Sequence, residues 1–304
     1  MAFKAEQQHF PGVKPVKKRD KKERRGDGRK AIVALFTITV LASALFYLQA
    51  EAPKIWERIT APRIISHLPE KYFDPSPVLN QIKDLTQDLS GTYGIYVYRF
   101  KDEKDYGLNE RKVFPAASLN KLPVMIIVYQ QAEEDKLDLE TEYILKEADK
   151  VKGAGILRTK PAGTKYTYRQ LIEYMGQYLD NTAFKVMRQV TGETTLDQAT
   201  PEEIGILFKK LYKERIISDE HRDELLQFLT NTGFEDRIPK GLPEEIRVAH
   251  KIGTLTGIYS DAGIIFAEEP FILVIMSKDA RESEALEVLP QITQAVWNFE
   301  TVSP

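Results

Sequence analysis

The 304-residue chain contains no cysteine. Disulfides, thiol catalysis, thiolate metal sites and a lipidated N-terminal cysteine are therefore excluded. Histidine is scarce. The four present (His9, His67, His221 and His250) are scattered and show no His-x-x-x-His spacing. No metal and no other cofactor is expected on these grounds. Neither sign of charge dominates, with 43 Lys+Arg against 45 Asp+Glu and a net charge of −2. That balance hides an asymmetry. Residues 1–30 hold 11 basic and 4 acidic residues, and the rest of the chain holds 32 and 41. Nucleic acid is not the expected partner, because the basic tail has a better explanation in its position.

There is one long hydrophobic run. Ala31 to Ala50 gives 20 residues without a charge. At about 1.5 Å per residue, that length matches the ~30 Å hydrocarbon core of a bilayer. It lacks the polar stripe of a buried soluble helix. The basic flank lies on its N-terminal side, which predicts a cytoplasmic N-terminus and an exported remainder. The site Ala50-Glu51-Ala52 is poor for cleavage, so an uncleaved anchor is expected. The expected location is the cytoplasmic membrane, crossed once through residues 31–50. Four regions follow. Residues 1–30 form a disordered basic tail, 31–50 the anchor, 51–77 a linker containing Pro53, Pro62, Pro69, Pro75 and Pro77, and 78–304 the folded domain.

Within that domain, Val78, Ile82, Leu85 and Leu89 have helical spacing. Tyr93 to Phe100 is rich in strand formers, and Asp105 to Asn109 suggests a turn with a short second strand. Helices are expected after Thr167, between Asn181 and Gly192, after the Thr200-Pro201 start, and around Leu225 to Leu229. Three strand candidates follow (246–253, 260–266 and 271–277), and then a helix over 282–299. Strands at both ends with helices between them predict an α+β fold. Its antiparallel sheet is built from N- and C-terminal strands and packs against a helical block.

Ser118 and Lys121 form the one Ser-x-x-Lys of the chain, and the apolar run Val124 to Tyr129 follows. Three residues are about one helical turn, so hydroxyl and amine share a face. Burial favours the neutral amine, which can then accept the serine proton. Alone, the pair reads more readily as a serine cap with a surface lysine one turn later. Two later stretches bear on it. Leu179-Asp180-Asn181-Thr182-Ala183 lies between two helices, and His250-Lys251-Ile252-Gly253-Thr254 lies in a predicted strand.

In this order, the three stretches resemble the Ser-x-x-Lys, Ser-Asp-Asn and Lys-Thr/Ser-Gly motifs of penicillin-recognising serine enzymes. Phe114 to Ser118, Asp180 to Ala183 and Asp236-Arg237-Ile238-Pro239 are similar to the class A β-lactamase family. The resemblance covers residues 78–299. It implies Ser118 as the acylated nucleophile, Lys121 as its proton acceptor, and Asn181 as the group orienting Lys121 and the substrate amide. Lys251 is implied as positive charge for a substrate carboxylate. The Ser118 and Thr254 N–H groups are implied as an oxyanion hole. Gly253 would leave room for substrate along the strand edge, and Asp180 would brace the loop. The implied substrates are β-lactams or D-alanyl peptides of the cell wall.

Three departures accompany the resemblance. Leu179 stands where the second motif has a proton-relaying serine, and the adjacent Tyr178 is one residue out of register. Ile252 stands where the third motif has a hydroxyl, for which Thr254 or Thr256 could substitute. The segment between Asn181 and Thr200 is short for a loop carrying a deacylating glutamate, and Glu193 to Asp197 echoes that loop faintly. Losing one general acid–base group typically costs ~10²–10⁴ in rate. Two readings result. The domain is a serine hydrolase with weak turnover, or a catalytically degenerate module that binds cell-wall peptide or protein.

Overall fold

The computed structural model describes residues 32–33, 35–43, 73–193, 196–230 and 232–302. The basic tail, much of the apolar run and most of the linker lie outside the described residues. Residues 32–33 and 35–43 are helical, and Thr37, Thr39 and Ser43 each donate to the carbonyl four residues earlier at 2.8 Å. Among the described residues, no helix is long and apolar enough to cross a membrane.

The second compact unit runs from Phe73 to Pro304. Helix α1 (Ser76–Thr86) leads into β1 (Thr92–Arg99) and β2 (Asp105–Leu108). After β3 (Phe114–Pro115), a 3-10 turn over Ala117–Asn120 runs directly into α2 (Lys121–Glu133). The helical block continues with β4 (Glu142–Ile144), β5 (Lys165–Thr167), α3 (Tyr168–Gln177), α4 (Asn181–Thr191), β6 (Gln198–Ala199), α5 (Pro201–Lys213) and α6 (Asp219–Phe228). Strands β7 (Val248–Leu255), β8 (Ile258–Ile265) and β9 (Phe271–Lys278) precede α7 (Glu282–Val302).

The main sheet has the order β2-β1-β9-β8-β7, with every pairing antiparallel. This is the α+β arrangement expected from strands at the two ends of the domain. Side-chain alternation builds two cores. Tyr96, Ile272, Val274 and Met276 face the helical block, while Ile95, Val97, Leu273 and Ile275 face α1 and α7. Burial of each such side chain stabilises the fold by roughly 1.5–3 kcal/mol. Covering both faces explains why β1 and β9 read as near-continuous apolar runs rather than alternating ones.

Strand β7 is an edge strand. Its first part is covered, because His250 donates its N–H to the Leu229 carbonyl at 2.8 Å and Thr230 bridges Ala249. Its end carries Thr254 and Leu255, which line a cleft. Two-residue strands β3 and β6 pair with each other, and Ala116 N–H donates to Asp197 O at 3.0 Å. The segment before α5 is thereby tied to the turn that carries Ser118.

Candidate active site

The cleft has a volume of about 610 Å³ and lies between the end of β7, the 3-10 turn and α4. Its start is set by local strain. Ala117 has φ +47, a left-handed conformation that ordinary residues rarely adopt. Ser118 follows inside the 3-10 turn rather than in an α-helix, which differs from the sequence expectation of a helix beginning there. The chain becomes α-helical at Lys121, and Pro123 falls in the first turn, where its missing N–H costs nothing.

Hydroxyl and amine meet as the spacing predicts. Lys121 Nζ lies 2.9 Å from Ser118 Oγ and 2.9 Å from Asn181 Oδ1. Lys121 is buried, and that burial lowers its pKa to about 8, against an opposing pull from Asp180. The ammonium also lies 4.8 Å from the Phe184 ring centroid. A large part of the amine is therefore neutral near pH 8, in hydrogen-bond contact with the hydroxyl it would deprotonate.

Asn181 is held by its neighbours. Its Nδ2 donates to Lys152 O at 3.3 Å. Asp180 is fully buried and caps α4, accepting from Thr182 and Ala183 N–H at 2.9 Å. It also accepts from Leu157 N–H at 2.8 Å, which is the loop-bracing role expected of it. Gly155 allows this closure. It has φ +107, and a Cβ there would sit 2.3 Å from Asp180 Oδ2.

Strand β7 supplies Lys251, Gly253 and Thr254. The Lys251 amine is buried and has no hydrogen-bond partner among the described residues. Burial and then the nearby Lys121 charge push its pKa well below the usual lysine range, with Asp261 opposing. In this geometry the amine is driven toward the neutral form, unlike the fixed positive charge that the motif implies. At Gly253 a Cβ would meet Ala116 O at 3.2 Å, Ala117 Cβ at 3.3 Å and Leu119 Cγ at 3.4 Å. Its missing side chain lets β7 approach the turn that carries Ser118. Thr254 lines the cleft, but its Oγ1 already accepts from Arg237 Nη2 at 2.6 Å. Arg237 also donates to Gly253 O at 3.0 Å and Ser260 O at 2.6 Å, which fixes the end of β7. Sequence reading noted the Asp236-Arg237-Ile238-Pro239 stretch without giving this arginine a role.

The departures are visible as geometry. Leu179 is buried with φ +56, Ile252 is buried, and neither lines the cleft. Tyr178 is exposed, stacks edge-on against Tyr174 at 5.6 Å, and does not line the cleft either. Among the described residues no carboxylate lines the cleft, and Glu193 stands outside its lining. His250 is a buried partner of Asp261 at 2.9 Å.

Comparison with known proteins agrees with this arrangement. The model of a family described as "Beta-lactamase enzyme family" matches residues 77–199 and 193–299. The chain belongs to the beta-lactamase enzyme family. A relative in that family, the extended-spectrum beta-lactamase PER-1 of Pseudomonas aeruginosa, is 24% identical over 273 residues, spanning 74% of this chain and 88% of PER-1. Among solved structures, a beta-lactamase from Sphaerobacter thermophilus DSM 20745 superposes with a TM-score of 0.71 at 23% identity, covering 76% of this chain and 100% of that one. PBP-A gives a TM-score of 0.71 at 20% identity, covering 75% of this chain and 97% of that one. A PBP-A mutant of the same similarity was solved as an acyl-enzyme with penicillin G. The fold is that of a class A beta-lactamase-like serine hydrolase.

Proposed function

We propose that this beta-lactamase-family chain is a membrane-anchored, exported serine acyl-transfer enzyme. It takes its acyl group from a β-lactam or a D-alanyl peptide onto Ser118. The observation that carries this reading is the contact chain Ser118 Oγ, Lys121 Nζ and Asn181 Oδ1, at 2.9 Å for each step, around a lysine whose pKa is lowered to about 8.

Neutral Lys121 takes the Ser118 proton as Oγ attacks the carbonyl carbon. The developing oxyanion is met by the backbone N–H groups of Ser118 and Thr254. The C–N bond then breaks, and the proton held on Lys121 passes to the leaving nitrogen. Leu179 carries no hydroxyl to relay that proton. With no carboxylate lining the cleft among the described residues, water activation is left to Lys121 alone, so hydrolysis of the ester is the slow step. Export rests on the uncharged run 31–50 and its basic N-terminal flank, and seven large apolar side chains of the helical residues in that run are exposed.

A second reading has specific support in Leu179, Ile252 and the partnerless amine of Lys251. It is a degenerate module that binds cell-wall peptide or protein without chemistry. One experiment separates the two. A membrane-impermeant fluorescent penicillin is applied to intact cells expressing the full chain, and the membrane fraction is examined. The acyl-transfer reading expects covalent label on the chain, abolished by Ser118→Ala. A folded chain that takes no label at saturating dose, even after lysis, eliminates acyl transfer and leaves the binding module. Label that appears only after lysis refutes the orientation.

A further inference from the structure

The far wall of the cleft is built from α4 and the loop before it. Asn181, Phe184, Lys185 and Arg188 recur at helical spacing, so they present one face of α4 to the cleft, and Lys152 joins them from the loop. Three cations thus meet in a cleft whose described lining contains no Asp or Glu. The setting is unusual for this chain, since acidic residues outnumber basic ones beyond residue 30. None of the three forms an ion pair among the described residues, whereas Lys150, Lys165 and Arg169 nearby each do. Lys185 Nζ is steered by a 2.6 Å bond to Ala148 O. Arg188 is more informative. Its Nε is shut off from solvent with no hydrogen-bond partner, and its guanidinium carbon lies 5.8 Å from the Phe184 ring centroid. The other side of this relation is Lys121, 4.8 Å from the same ring. The Phe184 ring is therefore shared by the Lys121 amine and the guanidinium of the cationic wall.

We propose that Lys152, Lys185 and Arg188 form an anion subsite that binds a carboxylate on the acyl side of the substrate, selecting acyl donors with a second negative charge. The inference rests on the acyl-transfer reading above. Arg188 and Lys185 lie seven and four residues after Asn181, which places them about 10 Å and 6 Å further along the helix. A carboxylate four or five bonds beyond the substrate's side-chain amide reaches about as far as Lys185, and the long Arg188 side chain, tilted toward the helix N-terminus, closes part of the remaining gap. The planar guanidinium supplies paired donors to a carboxylate, and Lys185 and Lys152 add point charge.

The test uses two penicillins made from 6-aminopenicillanic acid. One carries a glutaryl side chain with a free carboxylate, and the other carries the same chain ending in a primary amide. They differ in charge and scarcely in shape. Acylation of the full chain in detergent is followed by intact mass against time. The carboxylate compound should acylate at least tenfold faster than the amide. That ratio should shrink as NaCl rises from 50 to 500 mM, and should fall to about one in the K185Q/R188Q double variant. Equal rates for the two compounds, or a ratio that the double variant leaves unchanged, overturn the subsite and leave acyl transfer standing. If neither compound acylates, the acyl-transfer reading fails, and titration calorimetry of the glutaryl compound with Ser118→Ala protein decides the subsite separately. Binding weakened at least tenfold by K185Q/R188Q supports it. No binding, or binding indifferent to those changes, overturns it.

Discussion

At the residue scale the proposed chemistry turns on Lys121. Its lowered pKa means that the neutral amine gains population as pH rises through about 8. The second-order rate of labelling by penicillin should therefore climb between pH 6.5 and 8.5 and level off above that. A flat profile, or a midpoint near 10, would show that Lys121 is not the base. The same shift carries a cost in stability. The folded-state pKa lies below that of the unfolded chain, so the unfolded state holds the extra proton between about 8 and 10.5 and stability rises across that window. Ser118, Lys121 and Asn181 were legible as motif letters, because each needs a particular functional group. The left-handed Ala117 was not legible, since alanine carries no signal for positive φ. Lys185 and Arg188 were also missed. Charges at helical spacing read as a solvated face until tertiary structure puts a cleft in front of them.

At the scale of elements, the site is an encounter between an edge strand and a 3-10 turn. Gly253 sets how close they come, and the atom nearest to a Cβ there is a backbone carbonyl that cannot step aside. Gly253→Val adds three carbons to this contact. Overpacking of that kind typically costs 1–3 kcal/mol. The variant should melt several degrees lower, and its labelling rate should fall at least tenfold as the turn is pushed from β7. Unchanged labelling would mean that this approach does not position Ser118. The long strands and helices were readable from sequence because they bury continuous apolar runs or carry caps such as Thr167 and Thr200. The β3–β6 ladder was not. Two-residue strands have no period to detect, and their pairing depends on a contact 85 residues apart in sequence, that of Phe114 with Ala199.

At the scale of the whole molecule, opposing titrations shape stability. His250 is buried, which alone would lower its pKa, but Asp261 and then Glu235 outweigh burial and hold it at about 9. A histidine pKa raised on folding stabilises fully below about 6.5, and the benefit is lost as pH rises through about 9. His250→Gln should therefore be less stable than the parent at pH 6 by urea unfolding, with the deficit shrinking by pH 9.5. A deficit that is constant with pH would assign the loss to packing instead. The pair also reaches beyond itself, because Asp261 Oδ2 accepts from Ile238 N–H at 3.0 Å and so ties the segment bearing Arg237 to β8. The α+β order was legible because both ends of the domain contain strand-rich runs. The pairing of His250 with Asp261 was not, since it depends on the β7–β8 register, in which Gly263 faces His250 and Asp261 faces Ile252.

The absence of a carboxylate from the cleft lining, among the described residues, bears on how the proposed enzyme would act in a cell. An enzyme that releases its acyl group far more slowly than it takes one up is used up by its own reaction. Its capacity then scales with the number of copies and hardly at all with time. Exposure to a β-lactam would be met by titration, one drug molecule per chain, and any lasting effect would belong to the occupied protein rather than to the destroyed drug.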